Sequence, residues 1–227
     1  VKIDRNGIRF LHQQLLGRDM PWVEMVKPPR VQSLPDVLTR DEVAALLRRT
    51  RALGYRTYWL ATYSMGLRLG ETLALTVGDV DAARGLLHVR NAKGNKDRFV
   101  VLPTFTLGCL RRYWRTHRHP ELLFPARDAP QAQAPMPRAS VQKAFARIVR
   151  EVGIRKHVSI HSLRHSYATH LVQAGLNLRA VQEQLGHACP RTTARYVHMT
   201  EKSQLDKCTA INGLVDALAA AFEEANP

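Results

Sequence analysis

The sequence predicts a mostly α-helical fold with one small antiparallel β-sheet, an α+β class. Three observations lead there. Apolar residues recur at helical spacing through most of the chain, as in Val43, Leu46 and Leu47, or Val141, Ala144, Phe145 and Ile148. Helix boundaries are marked by capping residues and glycines, among them Thr39, Asn177, Gly153, Gly175 and Gly186. Strand-like runs occur as a pair, 86–89 and 98–102, on either side of Lys93-Gly94-Asn95.

Taken in order, Ile8, Leu11, Leu15 and Leu16 form a first helical pattern that Gly17 can stop, and Trp22 and Pro28-Pro29 follow as a linker. Residues 1–30 therefore read as the tail of an upstream helical unit with its linker, and 31–227 as one domain. The opening on Val1 rather than Met reads as a piece of a longer protein. Thr39 and Glu42 make a capping box, in which each side chain satisfies the other residue's backbone N–H. The helix they start is expected to end near Gly54. Tyr58, Leu60, Ala61, Tyr63 and Met65 form the next, running into Gly66-Leu67-Arg68-Leu69-Gly70-Glu71, and Leu73, Leu75 and Val77 read as core.

After the strand pair, 107–114 is patterned as a helix with Arg111, Arg112 and Arg115 on a solvated face that His117, Arg118 and His119 extend. Residues 126–137, rich in Ala, Gln and Pro, read as a surface loop. Ser140 is expected to cap a helix that Gly153 stops, with Lys143, Arg147, Arg150, Arg155 and Lys156 around it. A helix over 162–174 stops at Gly175. Asn177 caps the next, which Gly186 ends, so His187 emerges at a helix end. Pro190 starts a further helix bearing Tyr196. From Ser203 the tail is helical, with Leu205, Ile211, Leu214, Val215, Leu218 and Phe222 in an apolar stripe that needs a covering partner.

The 227 residues, 45% of them hydrophobic, suffice for one sizeable core. A net charge of +15 creates a field that attracts polyanions, with nucleic acid the default partner. No basic amphipathic helix with an aromatic edge favours an anionic membrane instead. Cys109, Cys189 and Cys208 form no CxxC pair, which fits neither a disulfide framework nor a zinc site and suits a reducing compartment. There is no secretory h-region and no run long enough to span a bilayer. These features give the expectation of a cytoplasmic protein.

The stretch 159–196, SIHSLRHSYATHLVQAGLNLRAVQEQLGHACPRTTARY, concentrates the chemistry. His161 and Arg164 stand one turn apart near a helix start, where free N–H groups favour an anion. Singly, each reads as an ordinary surface residue, Lys93 as a solvated turn residue and Tyr196 as a core aromatic. His161, Arg164, Lys93 and Arg68 together form a set of cations suited to a phosphodiester whose non-bridging oxygens gain charge in a transition state. A tyrosine can serve there as covalent nucleophile.

At these residues the chain resembles the catalytic domain of the tyrosine recombinases, or phage-type integrases. The resemblance rests on GLRLGE (66–71), the hairpin lysine of NAKGNKDR, HSLRHSYATHL (161–171), LGH (185–187) and ARYVHM with Tyr196, in that order and spacing. It runs from about Leu34 onward and is closer to integrases of mobile elements and integrons than to topoisomerases. It implies a helical DNA-binding domain upstream and a site-specific recombinase that acts on double-stranded DNA without metal, ATP or other cofactor. Tyr196 would form a 3′-phosphotyrosyl bond and release a 5′-hydroxyl. Arg68, Arg164 and His187 would hold the phosphoryl oxygens, Lys93, with Lys96 the competing candidate three residues on, would protonate the leaving 5′-oxygen, and His161 would assist proton transfer at the nucleophile. Glu71 would hold the arginine and its local helix. Lys96 and Arg98 would meet backbone phosphates, as would Lys143 and Arg147. The C-terminal helix would fold back on its own domain or, as the resemblance favours, dock on a neighbouring protomer and support self-association on DNA. The alternatives are type IB topoisomerase-like strand relaxation and a truncated DNA-binding regulator of a full-length recombinase. A metal-dependent nuclease is disfavoured because the sequence has no acidic ligand cluster.

Overall fold

The computed structural model describes residues 7, 10–17, 36–92, 96–126, 134–186 and 201–223. The chain divides into two units, Val1–Leu34 and Pro35–Pro227. In the first, Leu11–Leu15 is a π-helical turn, closed by a bond from the Leu16 N–H to the Leu11 carbonyl and followed by Gly17 at φ +59°.

The second unit is mostly helical with one antiparallel sheet, the α+β class expected from the sequence. In chain order it contains α1 (Arg40–Arg49), α2 (Leu53–Ser64), α3 (Leu69–Leu73), β1 (Val80–Asp81), β2 (Leu86–Ala92), β3 (Lys96–Val101), α4 (Thr104–His117), α5 (Arg138–Val152), α6 (Ile160–Gln173), α7 (Leu178–Leu185), α8 (Glu201–Asp216) and α9 (Ala219–Glu223). The sheet order is β1-β2-β3. In the β2–β3 hairpin Leu87 pairs with Val100 and Ala92 with Lys96, and the register is irregular between Val89 and Ala92. Leu87, Val89 and Val100 point into the core, while His88 stacks on the exposed Phe99 on the outer face. This alternation anchors one face of the hairpin.

Helix α2 is the centre of the domain. Every residue from Arg56 to Ser64 is buried, because α4, α6, α3, α1 and α8 all pack on it. Such a position calls for a helix apolar nearly all round, and α2 departs from that at the buried Arg56, Thr57, Thr62 and Ser64. Trp59 meets Tyr58 and Phe145 edge-on, and Tyr58 meets Phe124 edge-on. Tyr58, Thr62 and Tyr63 of α2 are hydrogen-bonded across helices, whereas the Arg56 guanidinium nitrogens, Thr57 Oγ1 and Trp59 Nε1 have no hydrogen-bond partner among the described residues. Tyr58 Oη donates to the Leu69 carbonyl at 2.8 Å, Thr62 and Thr72 share a hydrogen bond, and Tyr63 Oη lies 2.8 Å from His170 Nδ1. These bonds fix α3 and α6 against α2, which matters because Arg68 directly precedes α3 and Arg164 lies on α6.

Local signals set most boundaries. The Thr39–Glu42 capping box forms as expected, Asn177 Oδ1 accepts the Ala180 N–H, and Gly153 and Gly186 end α5 and α7 with positive φ. Three boundaries differ. Helix α1 ends at Arg49, with Thr50 Oγ1 bonded back to the Leu46 carbonyl, so Gly54 lies in the first turn of α2 instead of ending α1. A Cβ on Gly54 would stand 3.0 Å from Tyr113 Oη, and close packing on α4 accounts for the glycine. Helix α5 begins at Arg138 after Pro137, which places Ser140 inside its first turn. The end of the Ala/Gln/Pro-rich stretch is not all surface: Met136 is buried, and its N–H donates to the Phe124 carbonyl.

The apolar stripe of the C-terminal tail packs on its own domain. Ile211, Leu214, Val215, Leu218 and Phe222 are buried, α8 contacts α2, α4, α6 and β3, and α9 contacts α1. Thr104 N donates to Asn212 Oδ1, and Arg112 Nη1 pairs with Glu223 at 2.7 Å. Arg112, expected on a solvated face, thus faces the tail. Beneath it the guanidinium of the fully buried Arg56 lies 4.7 Å from the Phe222 ring centre. Among the described residues no helix is long and apolar enough to cross a membrane.

Candidate active site

Arg68 is the residue before α3, between the buried Leu67 and Leu69. Its apolar neighbours turn inward, so its own side chain is left partly exposed, at 26%. The chain reaches it through Gly66 at φ +61°, where a Cβ would stand 2.6 Å from both Tyr167 and Leu185. Only glycine allows this backbone to pass so close to α6 and α7. One turn on, Glu71 folds back on the start of α3. Its Oε2 accepts the Arg68 backbone N–H at 2.8 Å and its Oε1 accepts Arg68 Nη1 at 2.5 Å.

Two further guanidiniums converge on this carboxylate. Arg98, from β3, donates Nη1 to Oε1 at 2.9 Å and Nη2 to Oε2 at 2.8 Å, a bidentate pair whose side chains are 9% and 8% exposed. Arg164, from the second turn of α6, has Nη1 3.8 Å from Glu71 Oε2. Its shorter bonds are to backbone: Nη1 donates to the Gly66 carbonyl and Nη2 to the Leu185 carbonyl, both at 2.7 Å. Arg164 thus ties the turn before Arg68 to the end of α7.

The electrostatics follow from this geometry. Burial alone would raise the Glu71 carboxyl. The hydrogen bonds from Arg98 and from the Arg68 N–H outweigh it and bring the group down to about 2. Burial, then the nearby charge of Arg68, pulls Arg164 down to about 10, so it remains a cation at neutral pH. Three guanidiniums around one carboxylate leave an excess of positive charge at a partly open surface. Such a site can take a phosphodiester and stabilise added charge on its oxygens. Among the described residues no group of three or more His, Cys, Asp or Glu is gathered as a metal site.

The sequence model of the phage integrase family matches residues 36–203, which span α1 to α7 and the whole convergence of Arg68, Glu71, Arg98 and Arg164. The chain belongs to the phage integrase family, the tyrosine recombinases. It is 37% identical over 194 residues to a putative integrase/recombinase, y4qK, of Sinorhizobium fredii, covering 85% of this chain and 62% of that protein. It is 37% identical to the tyrosine recombinase XerD of Staphylococcus epidermidis, covering 88% of this chain and 71% of that one. The chain thus spans 62 to 71% of the length of these relatives. Among solved structures, XerA recombinase superposes with a TM-score of 0.62 at 24% identity over 90% of this chain and 73% of that one. The XerH site-specific recombinase bound to its difH substrate superposes with 0.60 at 26% identity over 82% of this chain and 56% of that one.

On this recombinase fold the expected residues are distributed as follows. Arg68, Glu71 and Arg164 come together. His161 is exposed on the first turn of α6, one turn before Arg164. His165, one turn after His161, is exposed as well, and partial burial, then Arg164, then His161 lower its pKa. Lys143 and Arg147 lie on the exposed side of α5, where Arg147 Nε approaches Glu151 at 3.4 Å. Lys96 pairs with Ala92 at the hairpin end. Lys93, His187 and Tyr196 lie outside the described residues, although Gly186, the residue before His187, is placed by the Arg164–Leu185 bond.

Arg98 departs from the expectation of a backbone-phosphate contact, because its guanidinium turns inward onto Glu71. The available signal was the alternation of β3: Val100 faces the core, and a residue two positions away shares its face. Arg138 was missed as a neighbour of the site. It stands exposed at the start of α5, and a Cβ on Gly70 would be 3.2 Å from its Nη2.

Proposed function

We propose that this chain cleaves and rejoins strands of double-stranded DNA by transesterification, as a site-specific recombinase or integrase, with Tyr196 as the nucleophile. The observation that carries the reading is the convergence of Arg68 and Arg164, distant in sequence, around Glu71. In the proposed step Tyr196 Oη attacks the phosphorus and the P–O5′ bond breaks. The DNA 3′-phosphate becomes esterified to the tyrosine, and the 5′-oxygen leaves with a proton from Lys93. His161 assists removal of the phenolic proton. Arg68, Arg164 and His187 hold the non-bridging oxygens as their charge rises. A 5′-hydroxyl of a second duplex reverses the step, and the ester conserves the bond energy, so no step is assigned to a metal or a nucleotide.

The other tyrosines support Tyr196 by their surroundings. Tyr58, Tyr63 and Tyr167 are fully buried, and burial pushes each phenol well above its ordinary value, so none can offer a phenolate. Tyr55 stacks on Trp59, and Tyr113 stacks on Phe124. Lys143 and Arg147 on α5, with Lys96 on the hairpin, extend the DNA contact. Self-association on DNA through the C-terminal helices belongs to the same reading. The contacts of Phe222 with Arg56 and of Glu223 with Arg112 are ones that a neighbouring copy can supply unchanged.

The test is a duplex nicked so that the 5′-hydroxyl fragment diffuses away, incubated with the chain in EDTA and resolved on a denaturing gel. An upstream DNA-binding region should be supplied in trans. A covalent adduct is expected from the parent and none from Tyr196→Phe, which keeps the ring and its DNA affinity but lacks the attacking oxygen. A full-yield adduct in Tyr196→Phe would move the nucleophile elsewhere.

A further inference from the structure

We propose that Arg98 is a positioning residue for this reaction: it fills the acceptor capacity of Glu71, which keeps the partly exposed Arg68 from closing on the carboxylate and leaves Arg164 in place on the Gly66 and Leu185 carbonyls, and it fixes β3, the strand that follows Lys93, to the same carboxylate. The inference rests on the transesterification reading above.

A carboxylate offers about four lone-pair sites. At Glu71 the Arg68 N–H and Arg68 Nη1 take one on each oxygen, and Arg98 Nη2 and Nη1 take the others. The carboxylate is saturated, and Arg164, held by the Gly66 and Leu185 carbonyls, stops at 3.8 Å. Without Arg98, Glu71 would present two open sites to its remaining cations. Arg68 could then close into a bidentate pair and Arg164 could be drawn across the last gap. The first motion would turn N–H groups of the partly exposed Arg68 toward protein instead of DNA, and the second would pull Arg164 away from the carbonyls that set its position. The excess of positive charge around the carboxylate would also fall from two to one.

The placement of Arg98 is built into the fold at a second point. A Cβ on Gly186 would stand 2.6 Å from Arg98 Cδ, so the arginine stem and the end of α7 need each other's shape. Gly186 hands the chain to His187. One side chain therefore joins β3, five residues after Lys93, to the α3 turn that orients Arg68 and to the residue before His187. A DNA-facing arginine has no use for a buried bidentate pair on a carboxylate, whereas a residue that sets the spacing of other cations does.

The variants are Arg98→Met, which keeps stem length without donors, and Arg98→Lys, which keeps charge without the fork. Each is compared with the parent for thermal midpoint, DNA affinity and single-turnover strand cleavage at saturating DNA. Cleavage is read on a natural duplex and on one with a charge-neutral methylphosphonate at the scissile position. For Arg98→Met the expected result is affinity within about threefold of the parent and cleavage lowered on the order of a hundredfold. That loss should shrink about tenfold on the methylphosphonate, which asks less of the arginines. Arg98→Lys should fall between. Parent-like cleavage, an equal loss on both substrates, or a loss confined to affinity would each overturn the proposal. A titration of the 13C-labelled Glu71 carboxyl, without DNA, reads the arrangement even if the parent makes no adduct. It should move up toward the ordinary glutamate range in Arg98→Met, and an unmoved Glu71 would overturn the role of Arg98 separately from the transesterification reading.

Discussion

Arg164 donates Nη2 to the carbonyl of Leu185 at 2.7 Å, two residues before His187. The same guanidinium reaches Gly66, two residues before Arg68. One buried side chain therefore sets the distance between the backbone segments that lead to Arg68 and to His187.

That bridge needs donors on two nitrogens held apart in a fixed fork, whereas a lysine has its three donors on one nitrogen. Arg164→Lys is expected to lower strand cleavage by about a hundredfold or more. It should also destabilise the fold by about 1–3 kcal/mol, because a buried carbonyl loses its partner. Chemical denaturation and the nicked-duplex assay check the two effects separately. Wild-type cleavage by Arg164→Lys would mean that the charge alone suffices.

Glu71 makes stability depend on pH in a defined direction. Its folded pKa of about 2 lies below the ordinary 4.5. Its contribution is therefore fully present above about pH 4.5 and is lost as pH falls toward 2. The depression corresponds to a contribution on the order of 3 kcal/mol. The stability gap between the parent and Glu71→Gln, from urea denaturation, should be widest near neutrality and close toward pH 2. A gap independent of pH would show that the carboxylate charge carries none of it.

Phe222 covers the guanidinium of Arg56 and packs edge-on against Phe105. Phe222→Ala removes both the packing and the ring face over a buried cation, and is expected to cost about 3–5 kcal/mol. Phe222→Leu restores volume without the ring face and should remain below the parent by the stacking contribution, about 1–2 kcal/mol. Equal stability of Phe222→Leu and the parent would assign nothing to the stack.

The net charge of +15 predicts that DNA affinity falls steeply with salt as counterions are released. For a site that contacts six or more phosphates the loss between 50 and 200 mM salt is about a thousandfold or more. A binding titration across a salt series checks it, and a flat response would locate the affinity in base contacts.

How much of this was legible in the sequence depended on the range of the interaction. The caps at Thr39 and Asn177 and the stops at Gly153 and Gly186 formed where local spacing put them, because each is satisfied within a few residues. Gly54 and Ser140 look like boundaries in the sequence and lie inside helices. Gly54 is glycine because Tyr113 on α4 presses on it, a contact between residues far apart in sequence. Arg111 and Arg112 look alike in sequence, and only the tail bearing Glu223 decided that Arg112 turns toward it.

By itself the sequence determined the α+β class, the family, the basic character and the residues on which the chemistry was expected. Those rest on composition, periodicity and motif spacing, which are properties of the chain. The tertiary structure decided what each cation faces. Arg68, Arg98 and Arg164 are equal as letters, but one stays partly open, one closes on Glu71 and one is bound to two backbone carbonyls. The physical reason is that a guanidinium is oriented by whichever acceptors surround it, and here those acceptors come from α3, the Gly66 turn and the end of α7, which only folding brings to one place.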